Sequence, residues 1–430
     1  LKLVRLQALW HIDSILRISH PFPFALIGSM AALVSRRAGA AGAPHGVSMR
    51  WIAGATLASV WSRAAGSAGP TAFLQTKSGK LALDWEAKGE SFFEQFSFMT
   101  YDGNHGASHF VESFAEAREA GVAEATESYA ILRAGSASKL HKYKRETAKI
   151  GTKKSWKHFL AVVKYSHVPY GCGVWPALYT LGVGQPWPMG GEMDILEYVN
   201  DQGSMTSFHV GKQCKLDPAA VNKYGYMPDS NAESNNGSQY NCLTEYCATC
   251  TSLGCAPNKL PLLTGEQWAN RPGAIAMHRT ASFTKIFFIP ESEIPQDIDA
   301  GEPNPDEWDK WIISYYPFGD SPGCPDPDNI MAPQQFVFSI AFCGDWASKV
   351  WGASPKCSQT GPKHNETATK QKLKIHAEQH QCRAVDPLAE YAPEEDCCTQ
   401  FITDESGEYG TEAYLQENAY FKISWFKVFT

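Results

Sequence analysis

The chain has 430 residues, 43% of them hydrophobic and 12% aromatic, so it can bury one large core. Its formal net charge is −7, and residues 1–69 carry seven Lys or Arg against one acid, which leaves −13 on the remainder. So acidic a body argues against nucleic acid or an anionic membrane surface as partner and suits a neutral one.

The first 48 residues hold no motif that can be tied to a function and read as an over-extended gene start. From Met49 the pattern changes: Met49-Arg50, the mostly apolar run Trp51 to Trp61, then the small residues Ala64-Ala65-Gly66-Ser67-Ala68. This pattern predicts a secretory signal peptide over residues 49–68, within an N-terminal extension of residues 1–69. Phe24 to Val34 is apolar too but falls short of the ~20 residues a membrane span needs, so a membrane anchor is the weaker alternative. An Ala/Glu/Lys-rich stretch within residues 110–150 predicts a short helix without chemistry. After residue 150 there is no long helical periodicity. Short apolar runs rich in aromatic and β-branched residues alternate with Gly, Pro, Asn and Asp, as in an antiparallel sandwich.

One of those runs carries three carboxylates: Gly190-Gly191-Glu192-Met193-Asp194-Ile195-Leu196-Glu197, just after Trp187-Pro188. The preceding Pro and Gly residues and the following Val199 favour a strand over a helix. In an ideal strand Glu192 and Asp194 share a face and Glu197 points the other way. A single β-bulge between Asp194 and Glu197 would bring all three to one face. Glu192 and Glu197 would then stand about 13 Å apart at Cα, at roughly 3.3 Å per residue. Two side chains leaning together would leave a gap of about 5 Å, the spacing of a retaining glycosidase pair.

Twelve cysteines, eleven of them from Cys214 onward, predict disulfides in a secreted chain. Cys242, Cys247, Cys250 and Cys255 are close enough for a zinc site, but they lack a clean repeated C-x-x-C pair, and loop staples are the expectation. Asn236-Gly237-Ser238 and Asn365-Glu366-Thr367 are candidate glycosylation sequons. Residues 354–415 form a polar insertion whose Cys357, Cys382, Cys397 and Cys398 suggest a stapled surface excursion within a domain of residues 70–430.

The acids sit in a longer pattern, Cys172-Gly173-Val174-Trp175-Pro176-Ala177-Leu178-Tyr179 followed by Trp187-Pro188-Met189-Gly190-Gly191-Glu192. It resembles the laminarinase-like endo-1,3(4)-β-glucanases of glycoside hydrolase family 16. Phe92-Phe93, Pro169 to Gly173, Phe208-His209, Ile286 to Pro290, Cys343-Gly344-Asp345-Trp346 and the final strand Ala419 to Val428 extend the likeness over most of residues 85–430. The resemblance implies a β-jelly-roll of concanavalin A type with a concave cleft. It implies a retaining enzyme on β-1,3 or mixed β-1,3/1,4 glucan, with Glu192 as nucleophile, Glu197 as acid/base and Asp194 as their helper. It also implies His209 close to the acids, Trp187 and Trp346 as sugar-stacking rings, and Cys242 with Cys255 as the likelier disulfide partners. Trp175 reads as core. Two departures near the cleft, Tyr179 in place of a tryptophan and Tyr198 in place of a glycine, bear on subsite preference. No organic cofactor is expected; some relatives hold a structural calcium, for which no ligands are readable here. A monomer is expected. The rival readings on the same fold are a non-catalytic β-glucan-binding protein and a glucan transglycosylase.

Overall fold

A computed structural model describes residues 80–224, 240–244, 254–361, 363–364, 381–382 and 396–430, apart from the single positions 102, 104, 260 and 325. The expected signal peptide, both sequons, Cys247 and Cys250 lie outside the described residues.

The strands, in chain order, begin with β1 (Leu83–Lys88), β2 (Phe96–Phe98), β3 (Ser108–Phe110), β4 (Ala123–Ala125), β5 (Ala130–Arg133) and β6 (Arg145–Thr147). Next come β7 (Lys149–Thr152), β8 (Phe159–His167), β9 (Val174–Gly182), β10 (Glu192–Glu197), β11 (Met205–His209) and β12 (Gly273–Arg279). The last six are β13 (Thr284–Pro290), β14 (Ile312–Tyr316), β15 (Gln334–Phe342), β16 (Lys363–His364), β17 (Gln381–Cys382) and β18 (Tyr420–Phe429). Two antiparallel sheets dominate, as the expected all-β jelly-roll sandwich requires. One runs β14-β13-β12-β8-β18-β5-β4, with β1 also on β18, and the other runs β11-β10-β9-β15-β7-β2.

Aromatic side chains fill the space between the sheets. Phe336 and Phe338 from β15 meet Phe426 of β18 with ring centroids 5.1 and 5.9 Å apart, and Phe338 also meets Phe421 at 5.5 Å. Trp85 of β1 closes one end against Phe96 and Phe426. Each fully buried Phe contributes roughly 1.5–3 kcal/mol, so this seam alone is a large share of the stabilisation. The helix expected within residues 110–150 is Phe114–Glu119, capped by the Ser113 hydroxyl, which accepts from the Glu116 amide at 3.2 Å.

Among the described residues, five disulfides join Cys172–Cys357, Cys214–Cys324, Cys242–Cys255, Cys343–Cys398 and Cys382–Cys397. Cys172 lies just before β9 and Cys343 just after β15, and Val174 pairs with Phe342, so two bridges hold the 354–415 segment to one end of the central strands. That segment is not simply a surface excursion. In its helix Cys397–Ile402, Phe401 and Ile402 are fully buried, and the buried Arg145 donates from Nε to the Ile402 carbonyl at 2.8 Å. The polar average of the insertion conceals this apolar patch, which the two bridges press into the core.

Candidate active site

The three carboxylates share one face of β10 because the strand bulges. Across β9, Glu192 lies opposite Leu181, Asp194 opposite Tyr179 and Glu197 opposite Ala177, with a register shift between Asp194 and Leu196. Leu181, Tyr179 and Ala177 are alternate residues of β9 and therefore share a face, and directly paired residues share theirs. Without the extra residue Glu197 would turn toward the core, where Met193 and Leu196 are buried. On the other flank β11 sets His209 opposite Glu192, Ser207 opposite Asp194 and Met205 opposite Glu197. Through β15, the same face extends to Lys149 of β7, which pairs with Ser339, itself opposite Ala177.

The turn into β10 depends on glycine. A Cβ on Gly182 would stand 2.0 Å from the Gly190 carbonyl oxygen, and Gly191 has φ +76°, a left-handed conformation that glycine adopts without strain. The Gly190 carbonyl accepts from the Ala332 amide at 2.9 Å and from Gln334 Nε2 at 3.0 Å, which anchors the turn on β15. Trp187 is thereby held half-buried, its ring centroid 6.2 Å from that of His209.

Asp194 is 3% exposed and accepts a short hydrogen bond from the Ser207 hydroxyl. His209 Nε2 lies 3.2 Å from Asp194 Oδ2 and 3.2 Å from Ser207 Oγ, while its Nδ1 lies 3.3 Å from Thr244 Oγ1. Thr244 belongs to the loop closed by Cys242–Cys255, whose backbone bonds along the edge of β11 away from β10: Phe208 with Cys255, and Val210, just past the strand, with Cys242 and Thr244. On the far side Glu197 Oε1 accepts from the Trp175 indole Nε1 at 2.9 Å.

Burial pushes the Glu192 and Glu197 carboxyls well above the usual range, and the Asp194 charge pushes both further. Glu197 adds to the rise at Glu192. Trp187 and Lys149 pull Glu192 back toward its ionised form, and Trp175 does so for Glu197. Desolvation and the same three acids raise the Tyr179 hydroxyl well above its ordinary value. Crowding and desolvation thus act together to favour the protonated form of both carboxyls.

The structure brings Glu192, Asp194, Glu197, Tyr179, His209 and Trp187 together. Trp346 departs from its expected place as a sugar platform: it is 3% exposed and packs edge-on against Trp175 at 5.6 Å, so it backs the indole that bonds Glu197. Trp175, read from the sequence as core, is the residue that touches Glu197. Its position, two residues before Ala177, puts it on the cleft side by the period of the strand. Ser207, Thr244 and Lys149 carried no sequence signal. Donor atoms of Glu192, Asp194 and His209 lie within 4.8 Å of one another, but Asp194 and His209 already bond to each other and to Ser207. A second grouping, Cys343, Asp396 and Cys398, has its two sulfurs joined in a disulfide and offers no thiolate.

The family model described as "XgeA-like, catalytic GH16 domain" matches residues 95–386. The chain is 31% identical over 288 residues to a probable glycosidase, C21B10.07, of Schizosaccharomyces pombe, covering 65% of this chain and 63% of that protein. It is 27% identical over 297 residues to an endo-1,3(4)-beta-glucanase of Arthroderma benhamiae, covering 68% of this chain and 61% of that one. The chain thus spans about three fifths of the length of these curated relatives. Laminarinase 16A of Phanerochaete chrysosporium, solved with β-glucans in donor and acceptor sites, shares the fold at TM-score 0.59 and 23% identity, over 82% of this chain and 100% of that one. The acid-bearing strand and its turn lie inside the matched region, which takes in well over half of the sequence, and the chain belongs to glycoside hydrolase family 16.

Proposed function

We propose that this protein is a secreted, retaining endo-β-glucanase that hydrolyses β-1,3 bonds, mixed β-1,3/1,4 bonds, or both. The observation that carries the reading is the set of three carboxylates on one desolvated face, with Asp194 bonded to Ser207 and His209 and therefore fixed beside Glu192. Glu192 attacks the anomeric carbon while Glu197 gives its proton to the departing glycosidic oxygen. Water then attacks the same carbon, Glu197 takes the water's proton, and the ester bond to Glu192 breaks. The charge of Asp194 raises both glutamates, which favours the protonated acid before the first step. Trp187 and Tyr179 offer ring faces to the sugar, and His209 holds Asp194.

An intact acid trio favours catalysis over recognition alone, and five disulfides suit an oxidising, extracellular setting. The test is reducing-sugar release from laminarin, lichenan and carboxymethyl cellulose by the full chain and by Glu192→Gln. Release from the first two that disappears in the variant is the expected result. Binding without release by the unmutated protein would make it a recognition module instead.

A further inference from the structure

Each of the two glutamates has an indole beside it, Trp187 for Glu192 and Trp175 for Glu197, but their further surroundings differ. Glu192 has the Asp194, Ser207 and His209 network on its flank, whereas the Glu197 carboxylate accepts a hydrogen bond from Trp175 Nε1, at 2.9 Å. The indole is fixed from behind. Trp175 is 6% exposed, Trp346 meets it edge-on at 5.6 Å, and the His105 ring lies 5.0 Å away at a tilt. His105 is in turn 3.4 Å from Lys149 Nζ, which donates to the Tyr101 carbonyl at 2.7 Å. Burial and these two ring contacts brace the indole against turning away from its acceptor.

We propose that Trp175 is the positioning residue that sets the acid-to-base exchange of Glu197, its fixed indole N–H donating to the carboxylate that forms once the proton has left. The inference rests on the function proposed above. In the first step the glycosidic C–O bond breaks, the proton of Glu197 goes to the leaving oxygen, and Glu197 becomes a carboxylate. An N–H donor bonds an ionised oxygen more strongly than a neutral one, so Trp175 strengthens its bond as that charge develops. It also holds the carboxylate aimed for the second step, where water loses a proton to Glu197 and the ester to Glu192 opens. The other ionisable groups facing Glu197 are Asp194 and Glu192 on its own strand and Tyr179 on β9. The acids act in the opposite sense, and Met205, its partner on β11, is uncharged.

The test substitutes Trp175→Phe, which keeps a large ring and removes the N–H, and Trp175→His, which restores a donor. Carboxyl carbon NMR of glutamate-labelled protein, with the Glu197 signal assigned by its loss in Glu197→Gln, reads the group without any need for turnover. In a Glu192→Gln background, Trp175→Phe should raise the Glu197 pKa by about one unit. Trp175→His should return part of that shift. In turnover, the alkaline limb of kcat/KM, which needs protonated Glu197, should move up by a similar amount. At pH values near the limb, release of the glycosyl-enzyme should slow about three- to tenfold, because the base is less often ionised. An unmoved Glu197 titration in folded Trp175→Phe would overturn the inference, as would a change confined to KM. Failure of the unmutated protein to hydrolyse any glucan would instead overturn the proposed function, and the two results are read from different measurements.

Discussion

The two faces of β10 are built from the same six residues and do opposite work. On the core side, Met193, Ile195 and Leu196 are buried at 0%, 3% and 2% exposure and hold the strand to the aromatic seam. On the cleft side, Glu192, Asp194 and Glu197 crowd like charges into a desolvated space, which costs stability and, in the function proposed, supplies the chemistry. One bulge separates the two jobs. It lets an apolar pair, Ile195 and Leu196, occupy the core while returning Glu197 to the face that Asp194 occupies.

Glu192→Gln should separate the faces most sharply. Glucan hydrolysis should fall by at least about a thousandfold, while the melting temperature holds or rises because a crowded charge is gone. A loss of both together would mean that Glu192 is structural. Met193→Ala should do the reverse, lowering unfolding free energy in denaturant by about 2–5 kcal/mol while the folded fraction keeps its turnover. Asp194→Asn sharpens the comparison within the cleft. It should cut kcat/KM about ten- to a hundredfold and move the alkaline limb of the pH profile to lower pH, since the Asp194 charge helps keep the Glu197 carboxyl protonated.

The smallest effect is a pH dependence of stability. Both glutamates have folded-state pKa values raised above those of the unfolded chain, so the folded state holds their protons more tightly. Their contribution is fully present below the unfolded value of about 4.3 and is lost as pH rises through the raised values. A double Glu192→Gln, Glu197→Gln variant should therefore gain in relative melting temperature as pH climbs through that window. A constant difference across it would contradict the burial assigned to the pair.

Much of the carboxylate face was legible because strand parity is a rigid rule. Counting by twos from Glu192 demands a bulge before Glu197, and the structure has one there. The reading of Trp175 as buried holds, at 6% exposure, but the same counting along β9 would have shown that its ring lies on the face of the acids, where its Nε1 reaches Glu197. Trp346 failed in the opposite direction. Its neighbours in sequence suggest a cleft residue, whereas its surroundings in space cover the ring. The pairings Cys172–Cys357 and Cys214–Cys324 join residues far apart in the chain, and no local spacing encodes such partners. Cys242–Cys255 is the pairing that the family resemblance implied, not the spacing, since Cys247 and Cys250 lie between the two; it flanks the strand that carries His209.

The most direct test of the account is mass spectrometry of the full chain after reaction with a 2-fluoro laminaribioside bearing a good leaving group, which slows release of the glycosyl-enzyme more than its formation. The account predicts one added disaccharide on the peptide containing Glu192, bonded to that residue and absent in Glu192→Gln. A label on Glu197, or no label alongside products that first appear with inverted anomeric configuration, would contradict it.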